Sequence, residues 1–268
     1  MIGFGSGDSP LVHGDTLMAR VPIGLELYSV RGELAKDPRG TLKAVAEMGY
    51  EGVEFAGFPS PDPQEVKAML DEFKLVCCGS HTGWGLVQDD KLAETVAYNK
   101  VIGNRYLIVP GLPGDLTNTR AAWISTAKRF NDIATKLAPE NMVTGYHNHS
   151  AEFRLLDGET GWDAFFSHTN KEVVMQLDTG NGMSGGADPV AILKKFPGRA
   201  ETVHLKPYHK TKGFQPVIGE DDCPWDEVFH LCETTGGTKW YIVEYESDAY
   251  PPLEAVDRCL KALKKMGK

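Results

Sequence analysis

From residue 21 onward one unit recurs: a short β-branched or apolar run, then a longer stretch whose apolar residues fall three and four apart. That is the pattern of consecutive strand-helix units, and it predicts a sheet of parallel strands joined by helical crossovers. The strand runs are VPIGLELYS (21–29), GVEFA (52–56), LVCCGSH (75–81), RYLIVP (105–110), MVTGYHN (142–148), EVVMQLD (172–178), ETVHLKP (201–207) and WYIVEYE (240–246). Helical stretches lie at 39–49, 62–73, 90–103 and 120–138, and a last one at 252–266 closes the series. Their punctuation fits: Gly49 and Gly103 stand at C-terminal stops, Asp62-Pro63 and Asp188-Pro189 at starts, and Thr117, Asn118 or Thr119 can cap the longest helix.

Eight such units without a linker, in a chain of 268 residues, imply a closed α/β barrel of the TIM type as a single domain over 21–268. A doubly wound open sheet is the alternative, but it normally has fewer strands, and no G-x-G-x-x-G turn follows the first run. Residues 1–20, rich in Gly, Ser, Asp and Pro, read as an irregular arm, with His13 on its surface.

Composition narrows the function classes. A formal net charge of -9 repels a phosphate backbone, so nucleic acid is not an expected partner. Five cysteines (Cys77, Cys78, Cys223, Cys232, Cys259) form no C-x-x-C pair and suit a reducing compartment. There is no basic-then-apolar leader and no apolar run of membrane-spanning length, so a cytoplasmic protein without membrane contact is expected.

In a closed barrel the chemistry sits at the C-terminal strand ends. There the sequence places Glu54, His81, His147, His149, Asp178, His204, Lys206, Glu244 and Glu246, with Glu26 on the first strand and Glu152 just after the fifth. Side chains alternate along a strand, so His147 and His149 share a face, as do His204 with Lys206 and Glu244 with Glu246. Imidazoles and carboxylates converging from four strands form a mixed N/O shell for a divalent cation. Burying them without a metal or mutual pairing costs several kcal/mol each. His168, His209 and His230 fall in helical or loop segments and read as surface residues. Trp84 either stacks on a ligand or seals the barrel top, and Gly185-Gly186 before a helix start is compatible with anion binding.

The segments MQLDTGNGMSGGADPVAIL, VHLKPY, VIGEDDCPWDEVF and WYIVEYE resemble the sugar phosphate isomerase/epimerase-like superfamily, the xylose-isomerase-like TIM barrels. That group includes tagatose 3-epimerase, inosose isomerase and inosose dehydratase. The likeness runs from residue 21 through nearly the whole chain. It implies one divalent metal, manganese first with zinc, cobalt, iron or magnesium as alternatives, held by Asp178, His204 and Glu244. At the fifth-strand position, where the epimerases often carry a Glu, this chain has His147, which takes that ligand's place. The exchange removes one of the paired carboxylates those epimerases use on opposite faces of an enediolate, and leaves His149, Glu244, Glu152 and Lys206 as candidate catalytic groups. Glu54, His81, Trp84 and Lys206 are then expected to bind substrate, with Arg154 and Lys210 as lesser anion contacts.

The resemblance implies an isomerase or epimerase of a sugar or keto-polyol that removes a proton next to a carbonyl. The alternative is a lyase on the same fold, dehydrating an inosose or eliminating the aglycone of a 3-keto glycoside; inosose dehydratases carry histidines in this segment. An endonuclease IV type of activity fits poorly with the charge, and a barrel that binds without turnover is the non-enzyme reading. A small-molecule partner is expected, and relatives form dimers or tetramers.

Overall fold

The computed structural model describes residues 20–268. The expected arm, His13 included, lies outside the described residues apart from Arg20. Eight parallel strands close into a barrel: β1 (Ile23–Glu26), β2 (Gly52–Phe55), β3 (Val76–His81), β4 (Tyr106–Val109), β5 (Val143–His147), β6 (Val174–Asp178), β7 (Thr202–Leu205) and β8 (Trp240–Val243). Each pairs with its neighbours in sequence, and β1 pairs with both β2 and β8, which shuts the ring. A two-stranded hairpin, Leu155–Leu156 with Glu159–Thr160, follows β5 outside the barrel.

The helices begin and end where local chemistry directs. Asp62 accepts from Gln64 N ahead of Pro63–Phe73, Thr119 from Ala122 N ahead of Arg120–Leu137, and Asp188 from Val190 N ahead of Pro189–Lys195. Gly49 ends Pro38–Met48 with φ +103°, a left-handed conformation that glycine adopts without penalty. The strands are shorter than their apolar runs. β1 stops at Glu26 because that carboxylate accepts Tyr28 N and turns the chain into a short 3-10 helix, Leu27–Val30.

Two apolar regions hold the barrel. The larger lies between strands and helices, and its largest fully buried side chains include Trp162, Phe130, Phe165 and Leu42. The smaller plugs the barrel interior at its N-terminal end with Tyr106, Ile108 and Val174, flanked by Val143 and Trp240. Above this plug the interior turns polar: Glu26, Glu54, His147, Gln176, Asp178, His204 and Glu244 are all buried. Among the described residues no helix is long and apolar enough to cross a membrane, and all five cysteines are free and buried.

A candidate metal centre at the barrel mouth

Strand register brings the ionisable groups together. His147 lies beside Gln176 across β5 and β6, Asp178 beside His204 across β6 and β7, and Glu26 beside Glu54 across β1 and β2. Asn148 points away from its two histidine neighbours: it accepts Asp178 N at 2.8 Å and donates to Asp178 O at 3.0 Å, stitching the tops of β5 and β6. The HNH stretch therefore sends its asparagine into the wall and its imidazoles toward the mouth, where the rings of His147 and His149 stand 5.2 Å apart.

One ligand atom from each of His147, Asp178, His204 and Glu244 falls within 4.8 Å of the other three. His147 Nδ1 donates to Gln176 Oε1 at 3.1 Å, which leaves Nε2 with its lone pair, buried and unpartnered. Asp178 Oδ1 caps Asn181 N at 2.7 Å, and its Oδ2 is likewise buried and unpartnered, 4.0 Å from His147 Nε2. His204 Nε2 is bound to Glu54 Oε2 at 2.5 Å, so its Nδ1 faces Glu244 Oε2 at 2.7 Å and Asp178 Oδ2 at 4.0 Å. Each imidazole is thus oriented through one nitrogen by a buried partner, with the other aimed at a common point, the arrangement that ligating histidines adopt. Two unpartnered buried atoms facing each other are costly unless a cation lies between them or the carboxyl takes up a proton. This donor set fits a divalent metal.

Without a metal the centre holds protons on groups that would ligate one, so a cation must displace them as it binds. Burial, reinforced by His204 and His81, holds His147 well below the usual imidazole range, and burial lifts Asp178 to about 8. Both are then neutral near pH 7, and at 4.0 Å they are no ion pair. Burial works against charge on His204, but Glu54 and Glu244 outweigh it and hold the ring protonated well above its ordinary range. Burial likewise opposes the Glu244 carboxylate, which Lys206 and His204 nevertheless keep well below the usual range. Lys206 Nζ, 3.3 Å from Glu244 and bonded to Glu246, is held charged. Glu26, buried with one carboxylate oxygen unpartnered, is pushed well up by burial and by Glu54.

Over this centre opens a cavity of about 460 Å³ lined by Tyr28, His81, His147, His149, Glu244 and Glu246 among others. The His149 ring makes no hydrogen bond among the described residues, while its backbone N–H donates to Glu152. Four expectations need correction. Glu54 does not bind at the surface of the cavity: it is fully buried, its oxygens engaged by Gln176 Nε2 at 3.0 and 3.1 Å and by His204. Glu152 is buried and accepts from Tyr146 Oη and His149 N, so it holds the loop after β5 instead of facing the cavity. Trp84 stacks on Phe130 at 5.4 Å beneath the Arg129 guanidinium and seals the outer wall. The start of the helix after Gly185-Gly186 is already capped by Asp188, and Gly185 has no room for a Cβ against the Ser150 carbonyl. Arg154 and Lys210 are exposed.

Gln176 escaped the sequence reading. It receives His147 Nδ1 and His81 Nε2 on one atom and ties them to Glu54 and to Thr202 Oγ1 through the other. Its signal was available: a polar residue inside an apolar run, two positions before Asp178 and so on the same face.

The family described as xylose isomerase-like TIM barrel matches residues 42–266. An inosose dehydratase of Geobacillus kaustophilus is 26% identical over 246 residues, covering 77% of this chain and 79% of its own. That of Erwinia tasmaniensis is 27% identical over 257 residues, covering 81% and 85%. Among solved structures, a sugar phosphate isomerase/epimerase from Parabacteroides distasonis superposes with a TM-score of 0.78 at 25% identity, covering 92% of this chain and 98% of that one. An L-ribulose 3-epimerase shares the fold, with a TM-score of 0.68 at 14% identity over 92% of this chain and 94% of its own. The match takes in seven of the eight strands and every member of the candidate metal centre, and on it the chain belongs to the xylose isomerase-like TIM barrel family.

Proposed function

We propose that the protein is a divalent-metal-dependent carbohydrate enzyme that removes a proton next to the carbonyl of a keto-polyol and expels the oxygen substituent one carbon further on, a carbon–oxygen lyase. His147, Asp178, His204 and Glu244 would hold the metal, which when bound polarises the carbonyl and makes the neighbouring C–H acidic. The observation that carries the reading is the inventory of proton carriers. Of the ionisable side chains lining the cavity, His149 and Tyr28 make no side-chain hydrogen bond among the described residues, and of the two an imidazole is the base suited to neutral pH, whereas Glu246 is tied to Lys206, and Glu244 to Lys206 and His204.

An epimerisation needs one group to remove the proton from one face of a planar intermediate and a second to return it on the other. An elimination needs only one: His149 takes the proton from carbon, the C–H electron pair becomes the new double bond, and the C–O pair leaves with the oxygen. His149 then gives its proton to that oxygen, so one substrate yields one enone and one water or alcohol. Lys206, charged and buried, pairs with Glu244 and Glu246 and holds both carboxylates in place beside the cavity. The kinship with inosose dehydratases supports the same direction.

A second reading, an epimerase, rests on Glu246, a carboxylate at the cavity that could serve as the second carrier once freed from Lys206. Product analysis separates the two. Metal-loaded protein incubated with an inosose is expected to give a product absorbing in the near ultraviolet, with loss of water by mass. A mass-neutral isomer would establish the epimerase instead.

A further inference from the structure

The catalytic cavity does not end at the polar centre. Beyond His81 it continues into an annexe of about 310 Å³ between the loops after β2 and β3, and Gly57, His81 and Leu86 line both spaces. One wall of the annexe is an aromatic pair, Phe58 and Tyr98, stacked with ring centroids 4.2 Å apart. At its junction with the cavity, Leu86 is 48% exposed, an apolar surface left to water across from His147, His149, Glu244 and Glu246 in the same lining.

The annexe walls carry polar atoms, but these have partners. Thr95 Oγ1 donates to Leu86 O, Asn99 Nδ2 to Thr95 O, Tyr98 Oη to Ser60 O and Thr82 Oγ1 to Ser80 O. Lys91 and Glu94 at the rim pair with each other at 3.2 Å. A sugar hydroxyl placed here would find few free partners, while a flat apolar group would find a stacking surface. The two spaces therefore ask for a ligand of two characters, polar where it meets the metal centre and apolar where it passes His81.

We propose that the substrate is a keto-glycoside bearing an apolar, ring-shaped aglycone, and that Phe58, Tyr98 and Leu86 form the aglycone site. The assignment rests on the lyase reading and sharpens it: the group expelled is the aglycone oxygen rather than hydroxide. The C–H pair forms the double bond, the glycosidic C–O bond breaks with its electrons on the aglycone oxygen, and that oxygen takes the proton. A keto-glycoside yields an enone and a free aglycone alcohol with no oxidant consumed. A dehydrogenase-type reaction must therefore install the ketone beforehand.

The test compares phenyl and methyl 3-keto-glucosides as a matched pair with metal-loaded wild type, Leu86→Ala and Phe58→Ala. Leu86 is exposed, so its variant keeps the fold even where Phe58→Ala does not. Phenoxide leaves more readily than methoxide in any site, so the aglycone site is read as the part of the phenyl advantage in kcat/KM, about tenfold, that the variants remove. Leu86→Ala is expected to shrink the ratio of phenyl to methyl kcat/KM, whatever it does to the two values separately. Equal kcat/KM for the pair, or a phenyl advantage that neither variant touches, would overturn the proposal. It would leave the lyase reading standing if either compound, or a free inosose, still gives an enone. Should neither glucoside turn over, calorimetric titration of the same pair decides: a phenyl preference in binding that Leu86→Ala erodes supports the aglycone site, and no preference overturns it.

Discussion

At the scale of single residues, the unpartnered atoms Asp178 Oδ2 and His147 Nε2 are the observation that most supports the proposed cation site. Asp178→Asn keeps the oxygen that caps Asn181 but loses the ligand charge. Loss of metal in elemental analysis is expected. The metal-free variant should nevertheless be the more stable protein. With its folded-state value raised to about 8 from 3.8, Asp178 binds a proton that the unfolded chain releases. Metal-free wild type therefore loses stability as pH rises from about 4 toward 8, at up to about 1.4 kcal/mol per pH unit. Denaturant titrations of both proteins without metal at pH 5 and pH 8 check this: the gap should widen at pH 8, by on the order of 1 to 3 kcal/mol.

Gln176 makes the complementary case. It is no ligand, yet it fixes which nitrogen of His147 faces the centre. Gln176→Leu should fold and should weaken metal binding about tenfold to a hundredfold, as read by competition with a chromogenic chelator. Unchanged affinity would remove it from the site. Residue identity was legible where alternation applies, as for His147, Asp178 and His204. Alternation fixes a face and says nothing of depth. Glu54 was accordingly expected at the substrate, whereas it lies fully buried under His204.

At the scale of elements, all eight strands and the long helices could be read because their periodicities of two and 3.6 are local properties of the chain. The strand ends could not, because they depend on side chains turning back on the backbone, as Glu26 does onto Tyr28 N. The same holds for close approach between strands. Across β2 and β3 the register shifts between Val53 and Glu54, which brings Gly79 opposite Glu54. A Cβ on Gly79 would meet Glu54 Oε1 at 2.2 Å, so the glycine makes room for the carboxylate that orients His204. Gly79→Ala is expected to cost about 1 to 3 kcal/mol and to weaken metal binding without altering any ligand. Thermal melts with and without metal would show it as a smaller metal-induced rise in Tm than wild type gives. An undiminished rise would mean that Glu54 does not orient the ligand.

For the whole molecule, the division of the barrel interior into an apolar plug below and an ionisable network above places stability and function at opposite ends. The family matches over 42–266, and the proteins this chain is similar to include inosose dehydratases in sequence and an L-ribulose 3-epimerase in fold, so the fold alone does not choose the reaction. The proposed reaction rests on the set of groups free to carry a proton, and its core is that a metal at this centre makes a carbon-bound proton exchangeable through His149.

Mass spectrometry of an inosose held in deuterium oxide with metal-loaded wild type, Asp178→Ala and His149→Ala tests that claim directly. Deuterium next to the carbonyl or dehydrated product is expected with wild type, neither after chelation or in Asp178→Ala, and loss of both in His149→Ala although that variant still binds metal. Exchange that survives in Asp178→Ala or His149→Ala, or its absence from metal-loaded wild type across inososes and keto-glucosides alike, would contradict it.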